Sequence, residues 1–516
     1  MSEDPTGRVL LLVKNALANI VRAFSSSAVT VLLPLCLIVV LGHSEYSVWA
    51  LIFSLGAFVV YFDLGVPTTV QAMVGRAISS DDQQAAIRVT KSGLKTSGLV
   101  SAICFAAAIG GALAFSRIFP DVPSRFELDA TVALVVLVIG QTSSLMGNTV
   151  SAYFAGQQRS FVPALILAPA RVLSLIVALG AAIVSGELVV TAVGYAAPLV
   201  IGTIVLFARF RMEALRAGVG ESEQTVKNYG VVALMRYSGP LAIWGLCMLV
   251  TSGAGVIMVA RFDYSAVVPF SIAALMVSAV AGLESSITAP LLPELARVHD
   301  RHGIDRVSVL TKSLSQLNGV FLFAVVAGLL MISPTVLPLL AKKADGDLIE
   351  YWPILAILLV GNAIHLAGTP LSLALIATKT HTRAVLPPVV EAVISLVLSL
   401  WLGMQLGAIG VALGIFIAGV VGLCLSFTWS VKLSRVLKLP AWEMLSVSAI
   451  RPIILILPVP VVTTIVILQG GQGTWWGLLV GVVTLLGCYL LLWFVALPEE
   501  SRRQTVLKVR QRISKR

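Results

Sequence analysis

The chain has 516 residues, of which 58% are hydrophobic and only 12% are charged, with a formal net charge of +11. Soluble globular domains carry about 25% charged residues, so this chain cannot cover its own surface in water, and a bilayer must be its solvent. Its apolar stretches are long and lack period-2 alternation, which favours helices, whose backbone groups bond internally, over a β-barrel.

Met1 to Lys14 is short and polar and leads straight into an apolar helix. That helix lacks a small-residue cleavage site and is expected to stay in the protein. Fourteen membrane-length segments are expected, at 16–42, 46–75, 92–115, 131–156, 161–184, 188–210, 237–260, 266–293, 313–340, 351–378, 384–402, 405–430, 450–468 and 475–496. A span needs about 20 residues. The longer segments imply tilt or extension beyond the bilayer.

The connections alternate in charge. The even-numbered ones carry Arg76, Arg88, Lys91 and Lys95, then Arg159, then the Arg209–Arg236 group. Further on come Arg297 to Lys312, Lys379 and Arg383, and Lys432 to Arg451. The odd-numbered connections hold only Arg117, Arg125, Arg261, Lys342 and Lys343. This bias places both termini in the cytosol. It also accounts for the net charge as topological anchors and a tail that touches anionic lipid, so nucleic acid is not expected as a partner.

One pattern is written twice. An offset of 221 residues links Asp63 with Glu284, each an acid inside an apolar run, and also Arg76 with Arg297, Lys91 with Lys312 and Ser92 with Ser313. It links Gly140 with Gly361, Gly147 with Gly368 and Ser151 with Ser372 as well. The offset superimposes the second span on the eighth, so both halves enter the membrane in the same direction. The expected architecture is an all-α polytopic membrane protein with two parallel six-helix repeats and a C-terminal hairpin. Its parts are an N-terminal lobe 1–210, a cytosolic linker 211–236, a C-terminal lobe 237–430, a cytosolic loop 431–449, the hairpin 450–496 and a basic cytosolic tail 497–516. A duplicated apolar unit with buried acids is a mark of transporters.

Six ionisable side chains fall inside spans: Arg22, Asp63, Arg171, Glu284, His365 and Glu391. Glu187 lies in a short turn and is set aside. Charge in a bilayer core costs several kcal/mol, about 2.5 or more, so such groups face a cavity or a partner. At 1.5 Å per residue, Arg22, Asp63, Arg171, Glu284 and Glu391 lie roughly 10–18 Å from the cytosolic face. Asp63 and Glu284 read equally as structural acids or as groups that bind cargo or couple a proton. Arg22 can snorkel to the interface. Arg171 lies deeper, after Pro163 and Pro169. Its neighbour Ala170 is the repeat equivalent of Glu391, so an Arg171–Glu391 pair across a central cavity is expected. His365 reads either as a proton-responsive group or as a polar residue packed between helices.

Cys36, Cys104, Cys247, Cys424 and Cys488 all lie in apolar segments, which fits small buried thiols rather than disulfides or a metal cluster. Three glycine pairs at four-residue spacing, 403/407, 410/414 and 477/481, permit close helix contact. Neither a phosphate-binding glycine loop nor a hydrolase motif is present, so no cofactor, metal or ATP is expected. A proton or sodium gradient is the expected source of coupling.

The run Leu41 to Leu55, followed by Phe62-Asp63-Leu64-Gly65-Val66, resembles the first hairpin of bacterial polysaccharide transporters. These are the O-antigen-type lipid-linked oligosaccharide flippases of the multidrug/oligosaccharidyl-lipid/polysaccharide (MOP) exporter superfamily. Tyr153 to Arg159, leading into Leu165 to Leu179, is similar to their fourth-to-fifth span connection. The resemblance covers most of spans 1–12. It implies two V-shaped lobes, alternating access and an undecaprenyl-diphosphate-linked sugar moved to the outer leaflet of a bacterial inner membrane, with glycan polymerase or assembly proteins as partners. Cationic side chains engage the diphosphate in such families, and Arg22 and Arg171 are the candidates here. The buried set departs from a strongly cationic lining, because it holds two arginines against three acids. Fourteen spans also resemble the lipid II flippase branch, whose extra helices form a lipid-tail groove. Two other readings stand beside this one. The acids suit a cation or multidrug antiporter of the same superfamily. A glycan polymerase or ligase needs sizeable outer loops, and the longest here runs only from about Ser116 to Ala130.

Overall fold

The computed structural model describes residues 32–79, 82–217, 242–288, 291–341, 349–378, 385–430, 440–471 and 474–496, with Val29, Gly239 and Thr380. Among these residues the fold is helical throughout, with no strand. Ten helical segments are long and apolar enough to cross a membrane, or eleven if the bent pair Ala242–Gly253 and Gly255–Phe262 is one span. The expected span 16–42 lies largely outside the described residues, of which Leu32–Leu41 forms a short apolar helix.

The expected segments correspond to helices, but several of the helices contain breaks with local causes. The segment 46–75 is two helices, His43–Tyr61 and Val66–Ser79. Leu64 (φ 51°) and Gly65 (φ 67°) take left-handed conformations between them, which halts the right-handed ladder. The segment 237–260 bends by 43° at Ala254. The helix Leu291–Ala341 is interrupted at Gly303 (φ 72°), and Leu386–Leu425 reverses at Gly407 (φ 58°, ψ −137°). The latter reversal falls just inside the segment expected at 405–430, a few residues after the turn expected at 403–404.

The chain divides into two compact units, 1–272 and 273–516. In the first, a buried cluster of Val66, Val70, Val74, Val89, Tyr153, Phe154, Leu206 and Phe210 ties helix Val66–Ser79 to Gln83–Leu113, Glu127–Gly156 and Leu188–Arg216. Arg159 closes the same end with a bidentate pair to Glu213, at 3.1 and 3.0 Å. Such a fork fixes geometry as well as charge.

The second unit repeats the first in its helix crossings. A methyl group on Gly140 would lie 2.9 Å from Ala196, and one on Gly361 would lie 3.1 Å from Phe416. Gly147 faces Thr203 and Gly368 faces Leu423 at similarly short range. The correspondence extends to a helical hairpin. Gly186 (φ 67°) and Gly407 (φ 58°) both turn the chain in left-handed conformation. After the turn, Gly194 backs onto Ala178 while Gly414 backs onto Ser399, and Gly202 meets Ala170 while Gly422 meets Glu391. The turn glycines are 221 residues apart, but the returning glycines are 220 apart. The second copy therefore lacks one residue just after its turn.

The C-terminal helices from Ala441 onward dock on the long helix of the second unit. Lys312 pairs with Glu443, the backbone of Ser448 abuts Gly319, and Tyr489 donates to the carbonyl of Ala324 at 3.0 Å.

Candidate functional site

The polar residues of the second unit converge where its helix 352–377 is broken. That helix runs as Trp352–Leu366 and Thr369–Ala377. Pro370, at the start of the second piece, cannot donate to the ladder. The carbonyl of Leu366 is claimed by two side chains instead, Asn318 Nδ2 at 3.1 Å and Thr369 Oγ1 at 2.8 Å. His365 stands one residue before this carbonyl.

His365 Nδ1 lies 2.6 Å from Glu391 Oε1. That is hydrogen-bond distance, and an ionised carboxylate, which only accepts, takes the proton of an imidazole N–H there. Glu391 is 6% exposed. It occupies the crossing where the first unit has Ala170, and Gly422 supplies the room for its carboxylate. A carboxylate has thus replaced a methyl group at a tight helix contact, and a histidine on the facing helix satisfies it. His365 itself corresponds to Ser144 of the first unit, whose hydroxyl bonds only its own helix, to Gly140 at 3.1 Å.

Glu284 on helix Val267–Thr288 is 3% exposed, with Thr288, Asn318, Thr369 and His365 around its carboxylate. Its Oε1 has no hydrogen-bond partner, and neither does Asn318 Oδ1. Buried polar atoms left unpaired cost about 1–3 kcal/mol each, and strain of this kind gathers at functional sites. Glu284, His365 and Glu391 therefore form one acid–base cluster. Asn318, Thr288 and Thr369 complete it and were not singled out from the sequence. The repeat offset offered a signal, since Asn318 is the equivalent of Ser97, whose hydroxyl bonds Thr149 at 2.7 Å.

Asp63 takes a different setting in the first unit. It is half-buried in the break between helices and accepts from the Gly65 amide at 2.9 Å. This local turn holds Leu64 and Gly65 in their left-handed conformations. Arg171 lies half-buried on Phe161–Ser185, two residues beyond Pro169, and makes no ion pair among the described residues. The carboxylate of Glu391, expected to meet Arg171, is engaged by His365 of its own unit. Arg22 lies outside the described residues. Among the described residues, no group of three or more His, Cys, Asp or Glu is placed to hold a metal ion.

No protein-family model and no curated protein matches the chain. Solved structures do match it. An inward-facing multidrug resistance MATE family transporter of the MOP superfamily is 15% identical, with 81% of this chain and 98% of that chain covered and a TM-score of 0.65. The lipid II flippase MurJ, in an inward closed conformation, is 13% identical over 92% of this chain and 97% of its own, with a TM-score of 0.66. A MOP superfamily transporter from Pyrococcus furiosus, whose binding pocket is described as reversed in polarity, is 15% identical over 83% and 96%, with a TM-score of 0.60. At these identities the likeness establishes the fold. This chain has the fold of the MOP-superfamily transporters, as the sequence resemblance implied.

Proposed function

We propose that this protein is a flippase that carries an undecaprenyl-diphosphate-linked oligosaccharide, or a similar lipid-linked glycan, from the cytosolic to the outer leaflet of a bacterial inner membrane by alternating access. The observation that carries the reading is the breadth of the fold match. The lipid flippase accounts for 92% of the chain, against 81% and 83% for the multidrug and Pyrococcus furiosus transporters. The C-terminal helices that dock on the second unit favour the same comparison.

In this reading both termini are cytosolic, and Arg171 and Arg22 attract the diphosphate. The Glu284–His365–Glu391 cluster couples the movement to a proton or sodium gradient. A buried carboxylate with an unpaired oxygen beside a histidine–glutamate pair is suited to gaining and losing a cation. The protein performs no covalent chemistry on its cargo, and glycan polymerase or assembly proteins take the product on the far side.

The buried acids also favour a second reading, a cation or multidrug antiporter of the same fold. Depletion in the host separates the two. Lipid-linked glycan accumulating on the cytosolic side supports the flippase. Sensitivity to cationic drugs with normal surface glycan would reject it.

A further inference from the structure

The first unit contains a cavity of about 370 Å³ in which every lining residue is apolar or a thiol. One wall is a stripe of small residues, Cys104, Ala107, Ala108 and Gly111, at the spacing that puts them on one face of helix Gln83–Leu113. The opposite wall is aromatic: Phe58 and Phe62 beside the break that carries Asp63, with Phe115 and Phe119 packed 5.3 Å apart. Small residues against rings leave a slot, and a methyl group on Gly111 would meet nothing within 4 Å.

The mouth of the slot is formed by exposed Ile103, Ala107 and Ile118. Ile103 and Ala107 belong to a membrane-spanning helix, so the medium at the mouth is hydrocarbon. A cavity of about 150 Å³ holds one benzene ring, so this one accommodates about fifteen carbons by proportion. That matches a single acyl chain and falls far short of an undecaprenyl chain. Exposed Arg117, adjacent to Ile118, supplies positive charge at the rim.

We propose that this slot is a resident-lipid site, occupied by one acyl chain of an anionic membrane phospholipid whose headgroup is held by Arg117. The chain braces Phe58 and Phe62 and thereby the break at Asp63. The site is separate from the Glu284 cluster and takes a component of the membrane rather than the cargo.

Photolabelling tests this. The full-length protein is placed in bilayers containing phosphatidylglycerol with a diazirine near the end of one acyl chain. Label is expected to concentrate in peptides covering 55–62 and 103–119. Ala108→Trp fills the slot and is expected to abolish that label, as is Ile103→Trp, which blocks the mouth from an exposed position and keeps the test valid should the first variant fold poorly. Ala108→Gly is expected to retain it. Arg117→Gln is expected to reduce labelling to the level given by the equivalent phosphatidylcholine probe. Undiminished label in both tryptophan variants would overturn the proposal. So would label no stronger at 103–119 than on the membrane-facing stretch 165–184, or labelling by photoactivatable undecaprenyl phosphate and not by the phospholipid.

Discussion

His365 and Glu391 meet at 2.6 Å in the second unit, at positions that the duplicated first unit fills with Ser144 and Ala170. At this crossing the scaffold is repeated and the charge is not. Gly202 and Gly422 keep the same helix crossing in both units, so the packing tolerates a methyl group in one copy and a carboxylate with its histidine in the other. Retaining a buried polar pair where alanine and serine suffice elsewhere points to function.

Removing one partner of this pair leaves the other buried and uncompensated, at a cost of about 3–5 kcal/mol. His365→Ser alone and Glu391→Ala alone are each expected to lower the melting temperature. The double variant recreates the residues of the first unit and is expected to recover much of the stability while still failing in transport. Thermal unfolding and a transport assay on the same preparations measure the two effects separately.

Glu284 differs, because its Oε1 has no partner to lose. Glu284→Gln is expected to leave the melting temperature unchanged or raised and to impair transport. A fall in melting temperature with transport intact would return Glu284 to the role of a structural acid.

Asp63→Asn and Arg171→Ala are expected to impair transport while leaving membrane insertion and expression intact, read by flipping and by quantitative blotting. Full transport by well-expressed variants would remove both residues from the site.

Gly422→Leu would push a branched side chain into the Glu391 carboxylate, and Gly202→Leu would press one onto Ala170. Overpacking of this kind costs about 1–3 kcal/mol. Gly98, where an added methyl group would meet nothing within 4 Å, is the control. Gly98→Ala is expected to be neutral or to stabilise by up to about 1 kcal/mol, because alanine is the better helix former. Detergent-solubilised melting curves check all three.

Much of this architecture was legible in the sequence, since apolar runs of membrane length and the offset of 221 depend only on composition and order. The turn between the segments 384–402 and 405–430 was readable only to within a few residues, because Gly407, where it occurs, reads with Gly403 as a helix-contact pair. The constant offset pairs Gly140 with Gly361 and Gly147 with Gly368 but passes over Gly194/Gly414 and Gly202/Gly422, because one residue is absent after the second turn. The break at Asp63 was half visible. Gly65 and Pro67 follow Asp63 in the sequence and both disfavour a continuous helix, but the left-handed conformation of Leu64 comes from the local chain reversal and not from leucine's own preference. The partner of Glu391 was hidden, since 26 residues separate it from His365 and only the crossing of their helices brings them together. Hydropathy places a charge within a span and carries no information on which neighbouring helix answers it.

Flippase activity is tested most directly by reconstitution. The purified protein is placed in liposomes with a fluorescent undecaprenyl-diphosphate-linked sugar, and the fraction accessible to a membrane-impermeant quencher is followed over time. Wild-type protein is expected to accelerate transbilayer movement, an imposed ion gradient to speed it further, and the His365→Ser/Glu391→Ala variant to do neither. Movement no faster than in empty liposomes, alongside robust cation or drug exchange by the same preparation, would contradict the assignment.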